Sequence, residues 1–371
     1  KNSTNPVTSK LCSSINEKPI VSMSSMFQSS KTTSIDLSSF DTSNVVDMYA
    51  MFQGDYNDKA NYHSLDLSSF NTSKLVSMRF MFSNVNIKHD LDFRKLDLSN
   101  VISMENSFYN SNFKSINLSG ANLCNVKELQ NGFSHSVGND VDLSNTIIYN
   151  ATSLDYLFSY SKFDTVDFNN AKTNRLRSLV NSFLLFEGKV INLNGLNMSN
   201  VETIEMLFQK ANVKRIDLRN IDTGKIVKWY LAFFSCEADE VLFPDEFTTG
   251  DNATLEEAFL YSKMPRIDLH GFDTSKVINM ENLFDGTTAS EIILSEKFTI
   301  DNIKKMNSVF KDTKGKTLDL TSFDITKIPE KTLILWNSEY EKIYVKSEED
   351  AEWYRNNAGR SLKKGEFVVK N

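Results

Sequence analysis

Three cysteines in 371 residues are too few for a disulfide framework. Cys12, Cys124 and Cys236 are expected to be free thiols, mostly buried. The four histidines, His63, His89, His135 and His270, show no paired spacing, which leaves a His–Cys–carboxylate zinc set unsupported. Thirteen glycines make no phosphate-cradling loop ahead of a lysine, and no Gly-x-Ser-x-Gly elbow occurs. No apolar run reaches the roughly 18 residues of a membrane-spanning helix. The net charge of −7, with no recurring basic stripe, argues against a nucleic-acid partner. The absences together leave no catalytic constellation, and the chain reads as non-enzymatic.

What the sequence has instead is a period. Phenylalanine recurs every 25 or 26 residues at Phe27, Phe52, Phe82, Phe108, Phe133, Phe158, Phe183, Phe208, Phe234, Phe259, Phe284 and Phe310, with one gap of 30 after Phe52. A second apolar column runs in phase through Leu37, Leu67, Phe93, Leu118, Leu143, Phe168, Leu193, Leu218, Phe243, Leu269, Leu294 and Leu320. Two columns locked together over most of the chain predict a stacked array. One repeat cannot bury its own apolar stripe, whereas stacked repeats can.

The clearest unit runs from Ser34 to Phe52. Ile35 and Leu37 alternate with polar residues, as in a short strand with one buried face. Ser39–Thr42 is rich in turn residues, and Ser43 suits a helix N-cap. Val45, Met48 and Phe52, with Met51 beside them, then fall on one stripe of a short helix. The third unit aligns on Leu91–Phe93, because the more obvious Leu96–Leu98 leaves only ten residues before Phe108. The expected fold is therefore an α/β repeat solenoid of about 12 strand–turn–short-helix units, with a parallel sheet and right-handed crossovers.

Residues 1–21 read as an N-terminal tail and cap, 22–325 as the solenoid and 326–371 as a C-terminal capping unit. In the last, Ile343–Val345 predicts a strand, Ser347–Tyr354 a capped helix start, and Phe367–Val369 a final edge strand. The long gap after Phe52 places about five extra residues in Gly54–His63, which is expected to bulge from the array.

Two surface features invite a functional reading. Asp36, Asp66, Asp92, Asp142 and Asp167 occupy the outward position of successive strands, continued by Asp217, Asp268 and Asp319 with Asn117 and Asn192 between. Each carboxylate can accept amides and hydroxyls of its adjoining turn, as in Asp36–Ser39. The row can instead collect Ca²⁺ or a cationic partner. Cations beside it are sparse early (Arg94) and commoner later (Arg215, Arg219, Arg266). The second feature is aromatic. Phe80, Tyr156, Met206 and Trp229 take positions expected to be partly exposed, Tyr160, Leu185 and Tyr261 follow their markers, and Tyr56 and Tyr62 lie in the insertion. Such side chains either pack between repeats or form a recognition surface.

The segments Ile35–Phe52, Leu65–Phe82 and Ile267–Phe284 resemble the repeat of BspA-type bacterial leucine-rich-repeat surface proteins, roughly Leu-Asp-Leu-Ser-x-Phe-Asp-Thr-Ser-x-Val-x-x-Met-x-x-Met-Phe. The resemblance covers about residues 22–325, counted by the repeat period. It implies a leucine-rich-repeat-like, secreted or surface-anchored protein that adheres to a protein or glycan on host or neighbouring cells. A structural spacer or self-assembling ectodomain is the alternative. The family often carries a cysteine two residues after the marker phenylalanine, a place that Cys236 fills here after Phe234.

Overall fold

The computed structural model describes residues 14–328, 333–357 and 362–370. Cys12 and most of the expected N-terminal tail lie outside the described residues. The chain divides into two compact units, Lys1–Leu176 with Phe186–Asn197, and Arg177–Leu185 with Met198–Asn371. Each is a parallel β-solenoid.

In the first unit, strands Leu91–Asp92, Ser115–Asn117, Val137–Asp142, Lys162–Asp167 and Glu187–Asn192 pair in parallel, one from each coil. Val141, Val166 and Ile191 stand opposite one another, so the register is the sequence period. Leu91–Asp92 pairs with Ile116–Asn117, as the alignment on Leu91–Phe93 predicts. Bridges on another side of the coil join Ser22, Asp47, Ser77, Ser103 and Glu128. In the second unit, Asn212–Asp217 pairs with Glu237–Leu242, Arg266–Leu269 with Glu291–Leu294, and Lys314–Asp319 with Glu339–Val345, all in parallel.

The short helix expected in every repeat is not there. Among the described residues the only α-helix is Glu348–Asn357, with a 3₁₀ turn at Ile325–Lys327. The backbone bonding of Met48–Gly54 explains the difference. The N–H groups of Met48, Ala50, Phe52 and Gly54 donate to the carbonyls of Ser77, Arg79, Met81 and Ser83 in the next coil, at 3.1, 2.9, 3.0 and 3.0 Å. Met51 and Gln53 donate three residues back, to Met48 and Ala50, both at 3.2 Å. A helix would turn all these donors inward, to carbonyls four residues back. The tight turns produce the same three-and-four spacing of buried residues that predicts a helix, but leave every second amide free to join coils.

These turns need left-handed backbone. Ala50 (φ 52°), Phe80 (56°), Asn106 (54°), Asn131 (55°) and Tyr156 (58°) recur two residues before the marker. Asn84 (58°), Asn110 (51°), His135 (59°) and Tyr160 (58°) recur two residues after it. Outside glycine this conformation costs roughly 1–2 kcal/mol per residue, which the inter-coil bonds offset. Asparagine is common at these places because its short polar side chain tolerates the region best.

The marker phenylalanines stack as a column. In the first unit Phe82, Phe108, Phe133 and Phe158 follow one another at 5.4, 4.9 and 4.9 Å between ring centroids, with planes within 5°. In the second, Phe208, Phe233 and Phe259 lie 5.1 and 4.9 Å apart. The residue in the column is thus Phe233, not Phe234. Phe233 is fully buried, whereas Phe234 sits one step outside, near Tyr261. Cys236 consequently lies three residues after its marker, in an interior column, and does not hold the family's cysteine position. In the first unit that column holds buried Ser111, Ser136 and Ser161, whose hydroxyls bond inward to the carbonyls of Phe82 (2.6 Å), Phe108 and Phe158 (2.6 Å). Cys236 is free and buried; Cys124 is free and half-buried.

The insertion is smaller than Gly54–His63. Ala60–Tyr62 forms a regular strand paired with Val85–Ile87, so only residues 55–59 leave the coil, closed by the Asp58 N–H donating to the Asp55 carbonyl at 3.2 Å. Gly54 is required at its root, since a Cβ there would lie 2.0 Å from the Asn84 carbonyl oxygen.

At the N-terminus, Ser14–Ile15 and Lys18–Pro19 form an exposed antiparallel hairpin. At the other end, Glu339–Val345 and Lys364–Val369 extend the parallel ladder beyond Lys314–Asp319. The helix between them starts as its sequence predicts, with Ser347 Oγ accepting from the Asp350 N–H at 3.1 Å and Glu348, Glu349 and Asp350 in its first turn. No helix of the described residues is long and apolar enough to cross a membrane.

Candidate functional site

The acidic row is occupied by turn chemistry. Asp36 Oδ1 accepts the Ser38 N–H (3.0 Å) and hydroxyl (2.6 Å). Asp66 accepts the Ser68 N–H at 2.8 Å, Asp142 that of Ser144 at 2.9 Å, and Asp167 that of Asn169 at 2.8 Å. Asp92 accepts the Arg94 N–H at 3.0 Å and its guanidinium at 2.9 and 2.8 Å. The Ser38 bonds hold the Asp36 carboxyl below its ordinary range, as the Ser68 bonds do for Asp66. The Arg94 guanidinium holds Asp92 at about 2. Asp167 moves the other way, because burial outweighs the Asn169 bond. In the second unit Asp217 is bound by Arg219 at 2.7 Å and Arg215 at 3.2 Å, and Asp268 by Arg266 at 2.8 Å. Among the described residues, no three His, Cys, Asp or Glu side chains gather as a metal site.

The aromatic candidates separate. Tyr62 and Trp229 are not surface residues. Tyr62 is fully buried, edge-on to Phe52 at 5.8 Å, because its strand resumes the coil and turns the ring inward. Trp229 is 4% exposed, packed near Phe272 at 5.8 Å. Phe80 is half-buried against Tyr49 at 5.7 Å. Met206 is half-buried, while Tyr156, Leu185 and Tyr261 are exposed.

Tyr56 and Tyr160 belong to one surface of the first unit. Tyr160 stacks on His135 at 4.8 Å with planes 7° apart, and His135 meets Tyr109 edge-on at 5.4 Å. Burial raises the Tyr109 hydroxyl pKa, and Tyr56, at the tip of the insertion, adds to the shift as an electrostatic neighbour. Burial likewise lowers the His135 pKa. This aromatic ladder turns the corner into an amide ladder on the adjoining strands. Asn112 Nδ2 donates to Asn86 Oδ1 at 2.7 Å, and Asn86 Nδ2 to Asn61 Oδ1 at 2.8 Å. A parallel rung joins Asn110 to Asn84 at 2.7 Å. From the insertion, Lys59 Nζ reaches Asn112 Oδ1 at 3.3 Å. Beside the amides lies a groove of about 450 Å³, lined by Lys88, Lys114, Ile87 and Phe113 with the three asparagines.

Tyr109, His135, Lys59 and the asparagines carry no site signal of their own in the sequence. Asn61 comes into column with Asn86 and Asn112 only when the extra residues are confined to 55–59, and that requires the strand at Ala60–Tyr62 to be known.

The family model described as "Mycoplasma protein of unknown function, DUF285" matches residues 2–121, 85–190, 127–241 and 253–345. The chain belongs to this family. The overlapping matches are what a periodic chain gives, since a DUF285 model spanning several repeats aligns at more than one register. No curated protein and no solved structure matches the chain. Along this chain the phenylalanine column and the turn aspartates recur with the repeat, whereas the insertion at 55–59 occurs once.

Proposed function

We propose that this protein is a non-enzymatic bacterial binding protein, secreted or held at the cell surface, that acts as an adhesin through the aromatic and amide face of its first unit. The resemblance of its repeats to those of BspA-type surface proteins supports this reading. The observation that carries the reading is the continuity of Tyr56, Tyr109, His135 and Tyr160 with Asn61, Asn86 and Asn112 on the surface of adjoining coils. Exposed aromatics and amides of this kind supply contact area and hydrogen bonds to a partner at low entropic cost. The partner is a protein or glycan on host or neighbouring cells. A spacer or self-assembling ectodomain is the second reading, favoured by the two solenoid units themselves, which offer a stacked scaffold.

The test is binding of labelled full chain to matrix proteins, glycans and epithelial cells, with and without Ca²⁺. Saturable binding to one class supports the adhesin. A Ca²⁺ requirement would return the acidic row to a functional role. A flat panel with concentration-dependent assembly would favour the spacer.

A further inference from the structure

The groove beside the amide ladder carries an unbalanced charge. Lys59, Lys88 and Lys114 line or reach it, in a chain whose net charge is −7. One nearby carboxylate, Asp90, is engaged by Lys114 at 3.0 Å. The two acids of the insertion face elsewhere, Asp58 pairing with Lys31 and Asp55 accepting from the Ser29 hydroxyl at 2.6 Å. Among the described residues, Lys59 and Lys88 have no carboxylate partner. Lys59 is also half-buried, its ammonium bonding only a neutral amide among the described residues, and burial lowers its pKa. A half-buried lysine without a counter-ion is held at a cost that an incoming anion would remove.

The other groups at the site specify what kind of anion. The side-chain amides of Asn61, Asn86 and Asn112 bond to one another along the column, and each amide also presents further donor or acceptor capacity to solvent. Such capacity matches the vicinal hydroxyls of a sugar. Tyr160 and His135, stacked on each other and exposed at the adjoining corner, supply a row of ring edges beside which the apolar side of a pyranose packs. The amide rungs repeat at the coil spacing, roughly 4.7–4.9 Å, close to the length of one sugar residue.

The geometry points to an acidic oligosaccharide as the ligand of this face, its carboxylate or sulfate at Lys59 and Lys88, its hydroxyls on the asparagine ladder and its ring on the aromatic corner. This rests on the binding reading above and narrows its ligand class.

Calorimetric titration of the full chain with a hyaluronan octasaccharide, a heparin octasaccharide and neutral maltoheptaose tests it. The first separates carboxylate from sulfate recognition, and the last controls for sugar without charge. Saturable heat with one acidic oligosaccharide, weakened by salt, and none with maltoheptaose is the expected result. Lys59→Gln and Lys88→Gln should each weaken that binding by up to about fivefold, the scale of an exposed ion contact, with the melting temperature unchanged. Equal affinity for the neutral sugar, or lysine variants that bind as the parent does, would overturn the proposal. Silence with all three sugars while the chain still binds cells or matrix protein would overturn the ligand class and leave the adhesin reading standing. Silence there too would remove both.

Discussion

His135 and Tyr160 occupy the same left-handed turn position in successive coils and stack face to face at 4.8 Å. Their backbone geometry is set by the inter-coil bonds, so the rings are presented without packing into the core. The same turn that makes the solenoid therefore fixes what the solenoid displays.

The phenylalanine column is buried and continuous from coil to coil within each unit. Phe158 is fully buried against Phe133, and Phe158→Ala should cost about 3–5 kcal/mol in the coils around it. Urea unfolding followed by circular dichroism would show this as an earlier transition, possible in part of the array alone because repeats melt in sections. A variant with the parent's unfolding curve would contradict the column.

The left-handed turns give a second prediction, one that a helix would reverse. Met206 has φ 57°, a conformation that asparagine tolerates and a β-branched residue does not. Met206→Asn should leave stability equal or raised, and Met206→Val should lower it by roughly 1 kcal/mol beyond the cost Met206 already bears. In a helix, asparagine would gain nothing. Thermal melts of the two variants decide between these outcomes.

The strands, their register and the core were legible because a period of 25–26 residues fixes which residues must coincide. The turns were not. Val45, Met48 and Phe52 give the same apolar spacing in a helix and in two consecutive β-turns, and which wins depends on whether Ala50 and Phe52 donate inward or to the next coil. Phe233 was hidden by its neighbour Phe234 for a similar reason: one residue of slack in the period is enough to swap them. The aspartates' place in turns could be read from Asp36 and Ser38 alone, since that contact is local. The face joining Tyr56, Tyr109 and Asn112 could not, because it depends on where the insertion ends.

Acid should weaken the fold through its turn aspartates. Burial favours a raised pKa for Asp217, but the Arg219 bonds and the charges of Arg219 and Arg215 outweigh it and hold the carboxyl below its ordinary range. A depressed folded-state pKa contributes stability above the unfolded value, about 3.9, that is lost as pH falls below it. Asp167, raised by burial, works in the opposite sense. Asp217→Asn should therefore be destabilising near neutrality, with the gap closing toward about pH 3 in urea midpoints. A gap that is the same at both pH values would contradict this account of Asp217.

Burial pushes the Cys236 thiol pKa strongly upward, which leaves little thiolate to react. Iodoacetamide should label Cys236 slowly in the folded chain and rapidly in urea, with Cys124 labelled earlier. Peptide mass spectrometry reads both sites. Equal rates at Cys236 with and without urea would mean that its column is open to solvent.

The central claim, that the first unit binds through an exposed face separate from its core, is tested most directly by Tyr109→Ala combined with Tyr160→Ala. Binding of this variant to whichever surface retains the parent chain, measured beside its melting temperature, is the decisive pair of readings. The account predicts that binding is lost while the melting temperature stays close to the parent's. Binding that persists at the parent's affinity would contradict it.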